Sequence, residues 1–210
     1  GQVDAARVHY AEAERILAVS NTRTMAPAIW LGHARWLIAW GEFDAATTRL
    51  DQAERALVER HGANHPELAR IAYLRSLLRI TRGELEAGRA DLVVAIERLR
   101  AAGPAMAMQL PRALTDQARF ALAAGDAAAA ITAARAALAI DAPEYEREDT
   151  RGVLAEAERA LLRPGCDHGG LVEATHLATR VAERLAPARV PLTRAGGREI
   201  AREDALDRPD

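Results

Sequence analysis

The sequence predicts an all-α fold in which helix pairs stack side by side into a right-handed solenoid. Three observations lead there. A short glycine-led motif recurs at an almost constant spacing, each copy opens the same apolar ladder, and a second helical stretch precedes nearly every copy. Gly1-Gln-Val-Asp-Ala-Ala6, Gly41-Glu-Phe-Asp-Ala-Ala46, Gly83-Glu-Leu-Glu-Ala-Gly88 and Gly125-Asp-Ala-Ala-Ala-Ala130 align without gaps. A weaker copy, Gly169-Gly-Leu-Val-Glu-Ala174, follows, so the glycines at 1, 41, 83, 125 and 169 step by 40, 42, 42 and 44 residues. A period of this length marks a repeat in which no single unit can bury its apolar face alone.

The first helix is expected at once, because Val3, Ala6, Tyr10, Ala13 and Leu17 step by three and four and share one helix face. No cap precedes it, which suggests a fragment of a longer polypeptide; residues 1–20 then read as the second helix of a truncated unit. The next unit, 25–61, pairs a helix from Pro27 to Trp40 with a ladder of Phe43, Ala46, Leu50, Ala53 and Leu57. Unit 66–101 pairs Pro66 to Arg82 with Leu85, Gly88, Leu92, Ala95 and Leu99. Unit 109–141 pairs Pro111 to Ala124 with Ala127, Ala130, Ala134 and Ala137, ending on Asp141. The last unit, 143–186, is degenerate or capping: a helix from Pro143 to Arg163, then Leu171, Ala174, Ala178, Val181 and Leu185. Each first helix opens on a proline, whose φ is already helical and whose missing N–H is not needed in a first turn. A glycine between the helices of a pair lets the backbone turn at positive φ. The alanine-rich helix after Gly125 is expected to form well but to be weakly held, since alanine buries little area. Arg163-Pro-Gly-Cys-Asp-His-Gly-Gly170 reads as an inserted loop, and 187–210 as a disordered tail or linker.

Composition narrows the function classes. The chain is 50% hydrophobic and 28% charged, with a formal net charge of −2. That balance disfavours a nucleic-acid binder, which needs a basic excess. All 28 basic residues are arginine, so phosphate-loop, kinase-strand and Schiff-base lysine chemistry is excluded from these residues. A single cysteine, Cys166, forms neither an internal disulfide nor a thiolate zinc cage and suits a reducing, cytoplasmic setting. No apolar run is long enough to span a bilayer.

Chemistry-bearing clusters are sparse. Cys166-Asp167-His168 brings thiol, carboxylate and imidazole together, but in a glycine-flanked loop that supplies neither a rigid base nor an oxyanion site. His61 and His65 have zinc-ligand spacing, yet Gly62 and Pro66 break the helix that this spacing requires. Trp30, Trp36 and Trp40 crowd one helix; Trp30 falls on a packing position, whereas Trp36 and Trp40 share a face that could meet a ligand. An enzyme within these residues is therefore not expected, and no cofactor or metal is implied.

The pattern resembles the tetratricopeptide repeat over residues 1 to about 186. Trp30, Ala34, Gly41, Phe43, Ala46, Leu50 and Ala53 carry the best match. The linker His61-Gly-Ala-Asn-His-Pro-Glu-Leu-Ala69 is similar to that of the 42-residue subgroup found in kinesin light chains and bacterial signalling proteins. Arg79 and Gly88 depart from that family's pattern. The resemblance implies a protein-interaction scaffold whose first helices line a concave groove. It places Leu31, Arg35 and Ile38, then Arg70, Tyr73 and Leu77, then Arg112, Thr115 and Arg119 along that groove. Arginines there suit a protein or peptide partner with carboxylates or phosphates; a solvated face with internal acid partners is the competing reading. The family's lysine–asparagine clamp for chaperone C-termini has no match. Two other roles fit the same pattern: a regulatory or docking region of a bacterial serine/threonine kinase, and a ligand-sensing repeat domain of a transcriptional regulator. Nucleic-acid and membrane partners are not expected, while self-association through exposed end units is.

Overall fold

The computed structural model describes residues 2–19 and 24–162. The inserted loop with Cys166, the ladder after Gly169 and the tail lie outside them. Eight α-helices and one short 3₁₀ turn make up the described chain, with no strand among these residues. They are α1 (Gln2–Val19), α2 (Ala26–Ala39), α3 (Phe43–His61), α4 (Glu67–Thr81), α5 (Leu85–Ala101), α6 (Gln109–Ala123), α7 (Ala127–Leu138) and α8 (Glu144–Leu161). The 3₁₀ turn, Gly103–Met106, has no counterpart in the other linkers among the described residues and buries Met106 against the core.

Helices pack as adjacent pairs, α2 with α3, α4 with α5 and α6 with α7, and each pair leans on the next. The turn inside each pair is the same. In the first, the Glu42 N–H donates to the Leu37 carbonyl at 2.9 Å and the Gly41 N–H to the Ile38 carbonyl at 3.1 Å. These two hydrogen bonds satisfy carbonyls in the last turn of α2 and require a left-handed residue between them. Gly41 supplies it at φ 77°, and Gly83 and Gly125 repeat the geometry. The prolines are less uniform than the sequence predicts. Pro27 lies in the first turn of α2, but Pro66 and Pro143 stand one residue before their helices, as N-caps.

The apolar ladders form the core. Ala46, Leu50, Ala53 and Leu57 are buried in α3, Gly88, Leu92, Ala95 and Leu99 in α5, and Ala130, Ala134 and Ala137 in α7. Gly88 has a packing reason: a Cβ there would lie 2.6 Å from Ile80 Cγ1, 2.9 Å from the Ile80 nitrogen and 3.1 Å from the Ser76 carbonyl oxygen. The backbones of α4 and α5 are too close for an alanine at this position. Arg79, the other departure, occupies no core position; it is exposed and pairs with Asp91 at 2.7 Å and Glu84 at 3.3 Å. One large cluster of leucine, isoleucine and aromatic side chains runs from α2 to α6. Beyond it the core divides into small groups: Ala118, Ala133, Ala134 and Val153, then Ala121, Ala130 and Ala157. At the other end, Tyr10, Ala13 and Leu17 of α1 are only half-buried, and Val8, Ile16 and Val19 are exposed.

Candidate functional site on the first helices

The nine groove positions separate into two groups. Leu31, Ile38, Tyr73, Leu77 and Thr115 are buried and present no surface to a partner. Leu31, Tyr73 and Thr115 occupy one register position in successive units, and each is at most 4% exposed. That position is where a first helix meets its neighbours, so the expectation that it faces a groove is corrected. Arg35, Arg70, Arg112 and Arg119 retain partial exposure.

Between α4, α6 and α8 the contacts are polar and closed. Tyr73 Oη donates to Asp116 Oδ2 at 2.6 Å, and Arg119 Nη1 donates to Asp116 Oδ1 at 2.8 Å. Arg119 also holds Asp149 of α8. Arg112 donates from Nε to Glu146 Oε1 at 2.6 Å and from Nη2 to Tyr145 Oη at 2.9 Å. The hydroxyls of Thr115 and Thr150 meet at 2.8 Å in the interior. Burial pushes the Tyr73 phenol far above its ordinary range, the Asp116 charge adds to this, and Arg35 partly offsets it. Arg112 and Arg119 are therefore already neutralised inside the molecule.

Around α1, α2 and the start of α4 the balance differs. Tyr10 of α1 stacks on His33 with ring centroids 4.7 Å apart, directly over Gly32, where a Cβ would come within 3.0 Å of its hydroxyl. Burial raises the Tyr10 phenol, offset by the Trp36 indole and then by the guanidinium groups of Arg70 and Arg35. The charges of both arginines are thus felt at one hydroxyl. Among the described residues Arg35 has no ion pair, and Arg70 has only a long contact of 3.5 Å to Glu67, one turn back on its own helix. Two cations with little internal compensation are the kind of group that pairs with a carboxylate or phosphate.

Sequence reasoning put Tyr10 in an apolar ladder and passed over Asp116, Glu146 and Asp149. Asp116 carries a readable signal, lying three residues before Arg119 on the same helix face. The two α8 acids do not, because their pairing depends on how α8 leans against α6. Trp36 and Trp40 are half-buried at 5.3 Å between ring centroids, with the Arg7 guanidinium 5.1 Å above Trp40. His61 and His65 stack at 4.6 Å, and His65 Nδ1 accepts from the Glu67 N–H at 3.3 Å. Among the described residues, no group of three or more His, Cys, Asp or Glu side chains is placed to hold a metal ion. None of the described helices is long and apolar enough to cross a membrane. No protein-family model matches the chain, and no curated protein matches it.

Proposed function

We propose that the chain is a right-handed solenoid of the tetratricopeptide kind, acting in the cytoplasm as a protein-interaction scaffold that grips an acidic or phosphorylated segment along its first helices. The observation that carries this reading is the uneven pairing of the first-helix arginines. Arg112 and Arg119 are satisfied by acids of α6 and α8, whereas Arg35 has no ion pair among the described residues and Arg70 only a weak one. A partner's anionic group therefore binds at the α1–α2–α4 end, with Tyr10 as an additional donor. The packed helix pairs hold these side chains at fixed spacing, so binding costs little ordering of the scaffold.

The test is an array of acidic, phosphorylated and neutral peptides, followed by fluorescence anisotropy on those retained. Arg35→Glu with Arg70→Glu should weaken acidic peptides by about tenfold or more, since about 1.4 kcal/mol corresponds to each tenfold change. A charge reversal at exposed Arg100, on α5, should leave binding unchanged. Equal retention of neutral peptides, or indifference to the double reversal, would overturn the assignment.

A further inference from the structure

A cavity of about 740 Å³ lies between the second helices α1 and α3, with α2 behind them, and neither Arg35 nor Arg70 lines it. Its apolar wall is built from Leu17 of α1, Ala26 and Trp30 of α2, and Ala56 of α3. Trp30 packs partly against the main core and presents the rest of its ring to this space. The volume falls in the range of small-molecule sites, which combine apolar walls with a few placed polar groups.

The polar groups are unequal. Arg49 donates from Nη2 to Glu14 at 2.6 Å and from Nη1 to Gln52 at 2.9 Å, but its Nε is buried and has no hydrogen-bond partner. Glu14 is doubly engaged, by Arg49 and by His33 Nδ1 at 2.8 Å, so it has little capacity left to hold a cation. Arg60, in the last turn of α3, lines the same cavity and has no ion pair among the described residues. Glu59 beside it is exposed, as is Arg60 itself, so solvent screens both charges until a ligand covers them. A buried N–H donor without an acceptor is a cost, and a ligand acceptor removes it once the Arg49 side chain shifts to present its Nε to the cavity. The combination is also particular to this unit. One repeat on, Trp30, Arg49 and Ala56 correspond to Ala72, Asp91 and Arg98.

We propose that this cavity binds a small aromatic anion, a carboxylate or sulfonate, with its ring against Trp30 and its charged group reaching Arg49 and Arg60. The site touches the peptide surface only through Glu14, which holds the His33 that stacks on Tyr10, and neither variant below alters that contact. 8-Anilino-1-naphthalenesulfonate is a direct probe, being aromatic, anionic and fluorescent only when shielded from water. Titration of the folded chain should show saturable enhancement at one site per molecule. Ala56→Phe, which fills the cavity from α3, should abolish the signal, and Arg60→Gln should raise Kd several-fold. Both variants should keep the far-ultraviolet circular dichroism and melting temperature of the parent. Peptide affinity at Arg35 and Arg70 should not change in either variant, which separates failure of this site from failure of the scaffold reading. The proposal is overturned by absent or non-saturating enhancement, or by undiminished binding in a folded Ala56→Phe chain.

Discussion

Gly88 and Gly152 both sit within helices, yet their surroundings predict opposite responses to the same substitution. Alanine is ordinarily worth about 0.5–1 kcal/mol over glycine inside a helix. At Gly152 of α8 nothing lies within 4 Å of the added Cβ, so Gly152→Ala should raise the unfolding free energy by about that much, seen as a higher urea midpoint. At Gly88 the new methyl meets the α4 backbone at 2.9 and 3.1 Å, and the helices must separate. Gly88→Ala should therefore destabilise by about 1–3 kcal/mol, the usual cost of overpacking. Tyr73 gives a second test, through pH. Its phenol titrates near 10.0 when unfolded and well above that when buried against Asp116. Above pH 10 the unfolded chain releases this proton and the folded chain does not, so stability falls as pH rises, by up to about 1.4 kcal/mol per unit. Below pH 10 the group contributes no slope. Urea midpoints measured between pH 9 and 11 should decline less steeply in Tyr73→Phe than in the parent.

Among the elements, α7 shows how helix propensity and packing separate. Its N-terminus is well made: the Asp126 carboxylate accepts from the Ala129 N–H at 2.9 Å, the one side-chain N-cap bond among the capped helices α2–α8. Alanine favours the helical backbone throughout. Its buried face nevertheless consists of Ala127, Ala130, Ala133, Ala134 and Ala137, where α5 offers Leu92, Ile96 and Leu99. Each leucine buried in place of alanine contributes about 2 kcal/mol. Amide hydrogen exchange should accordingly be faster in α7 and α8 than in α4 and α5, with protection falling along the chain from α5 to α8. Equal protection at both ends would mean that the polar contacts between α6 and α8 make up the difference.

For the whole molecule, what the sequence discloses depends on whether a feature repeats. The paired helices and their glycine turns were legible because Gly41, Gly83 and Gly125 recur in register with ladders whose buried faces follow from spacing alone. The groove was legible only in part. Register identified the set containing Leu31, Tyr73 and Thr115 but carried no information on how closely successive first helices approach. In the structure they touch there, and the set is interior. The surviving candidates, Arg35 and Arg70, are distinguished from Arg112 and Arg119 by acids on a neighbouring helix. Such pairing is a tertiary property that no periodicity encodes. The cavity beside Trp30 was hidden for the same reason, since it depends on α1 leaving Leu17 half-covered.

The division of the interior into a leucine-rich block and small alanine groups has a thermal consequence. Burying apolar surface sets the heat capacity of unfolding, and the two blocks bury different amounts of it per residue. The α2–α5 end should follow a strongly curved stability profile and lose more of its driving force on cooling. The alanine end, held more by backbone and polar contacts, should respond more flatly. The two ends should thus come closer in stability in the cold, and the molecule should behave more nearly as a single cooperative unit near 5 °C than at room temperature.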